Sequence, residues 1–220
     1  ISNEMNKSTN LNKVIKNDES EHFDHYCQLR DSAKVFHLEK GCSRKWLNET
    51  SPERAHAGIH ILWPIPENKH YKDILAEAEK GGSPNNISPI IQYSVEDGIT
   101  ALWLGDLETD FMEKIKDEVA WPENVSILFA PHHGRDTGKI PEDILQTINP
   151  RIVVIGEAPS EHLNYYQNYN TITQNSAGHI TFECVTGKVH VFVSDEDYSV
   201  DFLKNENISG DDNYIGTLNL

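Results

Sequence analysis

Two strand-like runs end in residues that can ligate a metal or move a proton. Ile99-Thr-Ala-Leu-Trp-Leu104 leads into Gly105-Asp106, and Val125-Ser-Ile-Leu-Phe-Ala130 leads into Pro131-His132-His133-Gly134-Arg135-Asp136. In open α/β layers, functional groups collect at the carboxyl ends of strands, where loops crowd polar side chains around one crevice. Asp106 and His132 are therefore expected to emerge side by side. A carboxylate can bridge two ions and a neutral imidazole binds without adding charge, which together suit a borderline divalent ion such as zinc or manganese. Taken singly, Gly105-Asp106 reads as a turn or as the cap of the helix beginning at Leu107, and only its pairing with the histidines turns it towards a site. Adjacent histidines point differently, so at most one of the pair binds a given ion directly while the other binds elsewhere or supports the ligands. His132, the first residue beyond the strand, is the expected metal ligand beside Asp106, and His133 the expected catalytic neighbour. Arg135 has two readings, a clamp on a phosphate oxygen or an ion pair with Asp136.

The elements that must hold these residues follow from the hydrophobic period. Short β-rich runs bounded by Gly, Pro, Asn or Asp cover 33–38, 58–63, 89–95, 99–104, 125–130, 151–155, 178–184 and 188–193. Helical spacing predicts helices over 22–30, 70–80, 107–119 and 141–148, the last three stopped by Gly81-Gly82, Trp121-Pro122 and Asn149-Pro150. Glu96-Asp97-Gly98 and Thr186-Gly187 read as hairpin turns. The pattern is a mixed α/β or α+β architecture with at least seven strands. Residues 1–21 read as a polar linker or frayed end, and 195–220, with Asp-Glu-Asp and Gly-Asp-Asp-Asn clusters, as a solvated acidic tail. His60 and His190 alternate with apolar residues and are expected on the solvated face of their strands.

Composition narrows the function classes. In 220 residues, 19 basic against 35 acidic side chains give a net charge of −16. Such a field repels phosphate polymers and acidic membrane surfaces, so it disfavours a general nucleic-acid binder while leaving room for a local phosphate site. Three widely spaced cysteines, Cys27, Cys42 and Cys184, make no C-x-x-C pair and favour a reducing compartment, the cytoplasm. No apolar run approaches the ~18 residues that span a bilayer.

Leu102-Trp-Leu-Gly-Asp106 followed by Ala130-Pro-His-His-Gly-Arg-Asp136 resembles the second half of a metallo-β-lactamase-fold hydrolase, in the branch similar to the soluble hydrolase domain of ComEC-type DNA-uptake proteins. The resemblance extends to His60-Ile-Leu-Trp-Pro64, to the turn Asn85-Asn86-Ile-Ser88 before a hairpin, to Asn149-Pro-Arg-Ile-Val-Val-Ile155-Gly, and to Asn175-Ser-Ala-Gly178-His-Ile-Thr181. It spans roughly residues 23–193. The family's αββα sandwich is the implied fold over 22–194. The implied chemistry is hydrolysis of a phosphodiester or other ester by water activated between two divalent ions, zinc or manganese, with Asp106 bridging them and His132 completing one. The resemblance also places His162 in a loop over the site, where it could contact a phosphate or donate a proton. The alternative there is a surface loop packed by Tyr165, Tyr166 and Tyr169.

One departure counts as much as the matches. The family's first metal motif, His-x-His-x-Asp-His, is absent: Ser20-Glu-His-Phe-Asp-His25 imitates its last positions, but no apolar strand precedes it and no Gly-Gly follows, so it reads as a surface helix. With the start at Ile1, this points to the C-terminal portion of a longer hydrolase whose N-terminal strands are missing here. The expected substrate is small and anionic or a phosphodiester. The competing expectation is a binding or regulatory module that keeps the fold without the chemistry.

Overall fold

The computed structural model describes residues 20–33, 35–50, 55–94, 98–208 and 213–220. Six strands form one mixed sheet in sequence order: β1 (Ile59–Trp63), β2 (Ile90–Ser94), β3 (Thr100–Trp103), β4 (Ile127–Phe129), β5 (Ile152–Ile155) and β6 (Thr171–Thr173). The first three pair antiparallel, and β3 through β6 run parallel. A second, antiparallel sheet holds β7 (Ile180–Val185), β8 (Lys188–Val193) and β9 (Tyr214–Asn219). The helices are α1 (Ser20–Arg30), α2 (Lys69–Glu79), α3 (Thr109–Ile115), α4 (Glu142–Ile148) and α5 (Gln174–Ala177). The class is mixed α+β.

The parallel strands are nearly continuous apolar runs because both faces are covered. Alternation then sorts their side chains between two cores. Leu102, Leu104, Leu128, Val153 and Ile155 join Phe111, Met112 and Ile115 of α3 and Ile144, Leu145 and Ile148 of α4. Ala101, Ile127, Ile152, Val154 and Ile172 face the other way, onto Val189, Val191 and Val193 of β8. Burying a Leu, Ile or Val contributes about 1.5–3 kcal/mol, so the stacked layers fix where each parallel strand ends. The helix boundaries have local causes. Asn68 caps α2 by accepting the His70 and Tyr71 N–H groups, and Asn149 closes α4 in the left-handed region, its N–H donating to the Leu145 carbonyl.

Several expectations change. Residues 35–38 form no strand, while β6 and β9 were not foreseen. The stretch expected to be a solvated tail instead supplies β9 to the second sheet and buries Leu203 and Leu218, with Lys188 Nζ paired to Glu206 at 2.7 Å. His190 is half-buried rather than solvated, its Nδ1 lying 2.7 Å from Oγ1 of Thr217, itself 1% exposed. The expected turn at 96–98 lies mostly outside the described residues, as does the linker before Ser20; β2 and β3 nonetheless pair as the turn requires. Ser20–Arg30 is helical, with His22 and His25 exposed on it. No helix among the described residues is long and apolar enough to cross a membrane.

Candidate functional site

Asp106 sits three residues beyond β3, and His132 and His133 follow β4 by three and four residues. Trp103 and Phe129 occupy equivalent positions in the parallel register, so the two exits lie next to each other. One hydrogen bond joins them directly: the His132 N–H donates to the Gly105 carbonyl at 2.9 Å. Asp106 is held by its backbone, its N–H donating to Ser88 Oγ at 3.0 Å. Gly105 is required there. Its φ is +58°, and a Cβ would stand 2.5 Å from Ser88 Cβ.

The histidine loop is built differently. His132 (φ 49°, ψ 43°) and His133 (φ 60°, ψ 10°) both occupy the left-handed region, followed by Gly134 at φ +84°. Two successive non-glycine residues there store strain of about 1–2 kcal/mol each, a feature that clusters at functional sites. Packing holds the loop in place: Pro131 and Gly134 are buried, and a Cβ at Gly134 would meet Ile155 Cγ2 at 2.8 Å.

The two imidazoles separate. His132 Nδ1 lies 2.9 Å from Thr137 Oγ1. The Thr137 carbonyl in turn accepts from Thr109 Oγ1 at the start of α3. An imidazole whose Nδ1 is anchored in this way presents Nε2, the arrangement usual for a metal-ligating histidine. His133 instead lines, with Asp106, a cavity of about 340 Å³ between the two sheets at the carboxyl ends of β3, β4 and β5. Its walls are largely apolar. Trp103 and Phe129 stack at 4.5 Å and 9°, and Phe182 of β7 stands edge-on to Phe129.

The third expected element also lies against this loop. A 3₁₀ segment, Ser160–Tyr166, packs on Pro131–Gly134. In it, the His162 ring stacks on Tyr165 at 5.3 Å, and His162 Nδ1 is buried without a partner among the described residues. The Tyr165 hydroxyl donates to Asp136 Oδ1 at 2.7 Å. That bond, followed by loss of water and the nearby carboxylate charges, raises the Tyr165 phenol above its ordinary pKa. Arg135 is exposed, and Asp136 takes the Tyr165 hydroxyl. Ser88 and Thr137 are the supporting residues that sequence reasoning assigned no role. Ser88 belonged to a quoted turn motif, whereas Thr137 carried no signal.

A metal is the group that the resemblance implies here, and the donor set falls short of it. Asp106 and His132 supply two donors, against the three protein ligands of a catalytic zinc site. Among the described residues no cluster of three or more His, Cys, Asp or Glu side chains is arranged to hold an ion. These residues do not form a metal centre by themselves. No protein-family model matches the sequence, and no curated protein matches it.

Proposed function

We propose that this chain carries the later half of a metal-dependent hydrolase of the metallo-β-lactamase superfamily, acting in the cytoplasm on a phosphodiester or other ester. The observation that carries the reading is the pairing of Asp106 and the His132–His133 turn on the exits of adjacent parallel strands, joined by the bond from His132 N–H to the Gly105 carbonyl. Asp106 and His132 are its metal-facing residues, with zinc or manganese as the ion. His133 and His162 are the imidazoles that take or give protons, His133 from the cavity wall and His162 from the segment packed on the histidine loop. The missing donors come from a His-x-His-x-Asp-His segment elsewhere in the intact protein.

Two features support an αββα sandwich lacking its first strands. Among the described residues the second sheet has three strands against the six it faces, and Tyr93, Trp103 and Phe129 on the facing side are only half-buried. A net charge of −16 weighs against a long nucleic acid as substrate and leaves room for a small anionic one. The intact protein, loaded with zinc or manganese, is expected to hydrolyse bis(p-nitrophenyl) phosphate, and Asp106→Ala to abolish that turnover. Hydrolysis that survives the substitution would reject the proposal.

A second reading is a binding or regulatory module that keeps the fold without catalysis. The two-donor count favours it. An upstream reading frame with no His-x-His-x-Asp-His motif, together with a metal-free intact protein, would decide for it.

A further inference from the structure

We propose that the turn Asn85-Asn86-Ile87-Ser88 is a positioning device for Asp106, acting through Glu108. This deepens the hydrolase reading, because it rests on Asp106 being a working residue of that site. The turn precedes β2 and lies across the β3 exit. Asn85 Nδ2 donates to Glu108 Oε1 at 3.1 Å and Asn86 Nδ2 donates to Oε2 at 3.0 Å, so one carboxylate is held by two amides. The Asn86 side-chain oxygen accepts the Glu108 backbone N–H at 2.9 Å, and Ser88 Oγ accepts the Asp106 N–H at 3.0 Å. All four bonds are partly buried, and the two accepted by the Glu108 carboxylate are charge-assisted.

The arrangement fixes Asp106 on both sides while leaving its carboxylate alone. Glu108 is clamped two residues after Asp106, and Ser88 grips the Asp106 amide itself. The Asp106 carboxylate has no hydrogen-bond partner among the described residues, so its oxygens are uncommitted at the cavity wall. The Gly105 carbonyl then carries the constraint on to the His132 N–H. Glu108 is also the residue before α3, yet its side chain caps no helical N–H group. Its carboxylate serves the turn instead.

The pattern of donors permits a rescue test. Asn86→Asp keeps the acceptor for the Glu108 N–H but sets one carboxylate against another. Adding Glu108→Gln restores a donor between them, and the new amide oxygen still accepts from Asn85. Amide hydrogen exchange is measured on the wild type, Asn86→Asp and Asn86→Asp/Glu108→Gln. Exchange at Asp106 and His132 is expected to rise about tenfold or more in the single variant, at unchanged protection of Val153 and Val154 in β5, and to return to the wild-type rate in the double variant. No rise at Asp106, a rise shared equally by β5, or no rescue would each overturn the proposal. Metal content and phosphodiester turnover of the intact protein, measured on the same three proteins, should follow the exchange. A protein without metal in all three would reject the hydrolase reading and leave the exchange result to judge the turn.

Discussion

The Asp106 loop and the His132–His133 loop leave neighbouring strands at the same level, but they are held by opposite means. The Asp106 loop is relaxed and fastened by side-chain hydrogen bonds from Asn85, Asn86 and Ser88. The histidine loop is strained: two histidines and a glycine in succession have positive φ, held by buried neighbours and by Thr137. Hydrogen bonds place a carboxylate without touching its oxygens. The left-handed backbone sets two adjacent side chains apart, one at Thr137 and one on the cavity wall. The two exits are thus one fastened loop and one forced loop, side by side.

The largest effect is expected from Gly105→Ala. The new Cβ meets Ser88, needs positive φ and displaces the bond to the Asp106 N–H, for a loss of about 3 kcal/mol in urea unfolding. Ser88→Ala should cost about 1–2 kcal/mol by leaving that N–H unpaired. Replacement of a side chain in the strained loop should have the other sign. His133→Gly relieves the left-handed penalty, offset in part by glycine's greater freedom in the unfolded chain, for a gain of about 0.5–1 kcal/mol. A loss of stability there would show that the histidine loop is fastened like its neighbour. Thr137→Val should change stability by less than about 1 kcal/mol while altering the ring-nitrogen NMR signals of His132 and not those of His133.

The smallest effect concerns alkaline pH. The raised phenol of Tyr165 stabilises the fold below the ordinary value of about 10, and that contribution is lost as pH rises through the raised value. Tyr165→Phe should flatten the stability profile in that window and leave the Asp106 loop unaffected. An unchanged profile would remove Tyr165 from the supports of the histidine loop.

The sequence made the parallel strands legible because both their faces are buried, so Ile152-Val-Val-Ile155 reads as an apolar run without help from its surroundings. The exits at Asp106 and His132 followed from those runs. Other parts depend on distant partners. Tyr214–Asn219 becomes a strand by pairing with β8, and its acidic surroundings hid it. The three residues of β6 carry two threonines and are fixed by the edge of β5. The link from Asn85 and Asn86 to Glu108 spans more than twenty residues, and the left-handed histidines leave no trace in residue type. Residues 33–38 had β-rich composition but have no strand partner among the described residues.

Asp106 and His132 are proposed as two ligands of a metal site whose other donors would lie elsewhere in the intact protein. The most direct test is the divalent transition-metal content of that protein, purified as wild type, Asp106→Ala, His132→Ala and His133→Ala. Two bound ions are expected in the wild type, with loss of both in Asp106→Ala, a clear loss in His132→Ala and near-complete retention in His133→Ala. A wild type without metal, or one whose metal survives Asp106→Ala, would contradict the proposal.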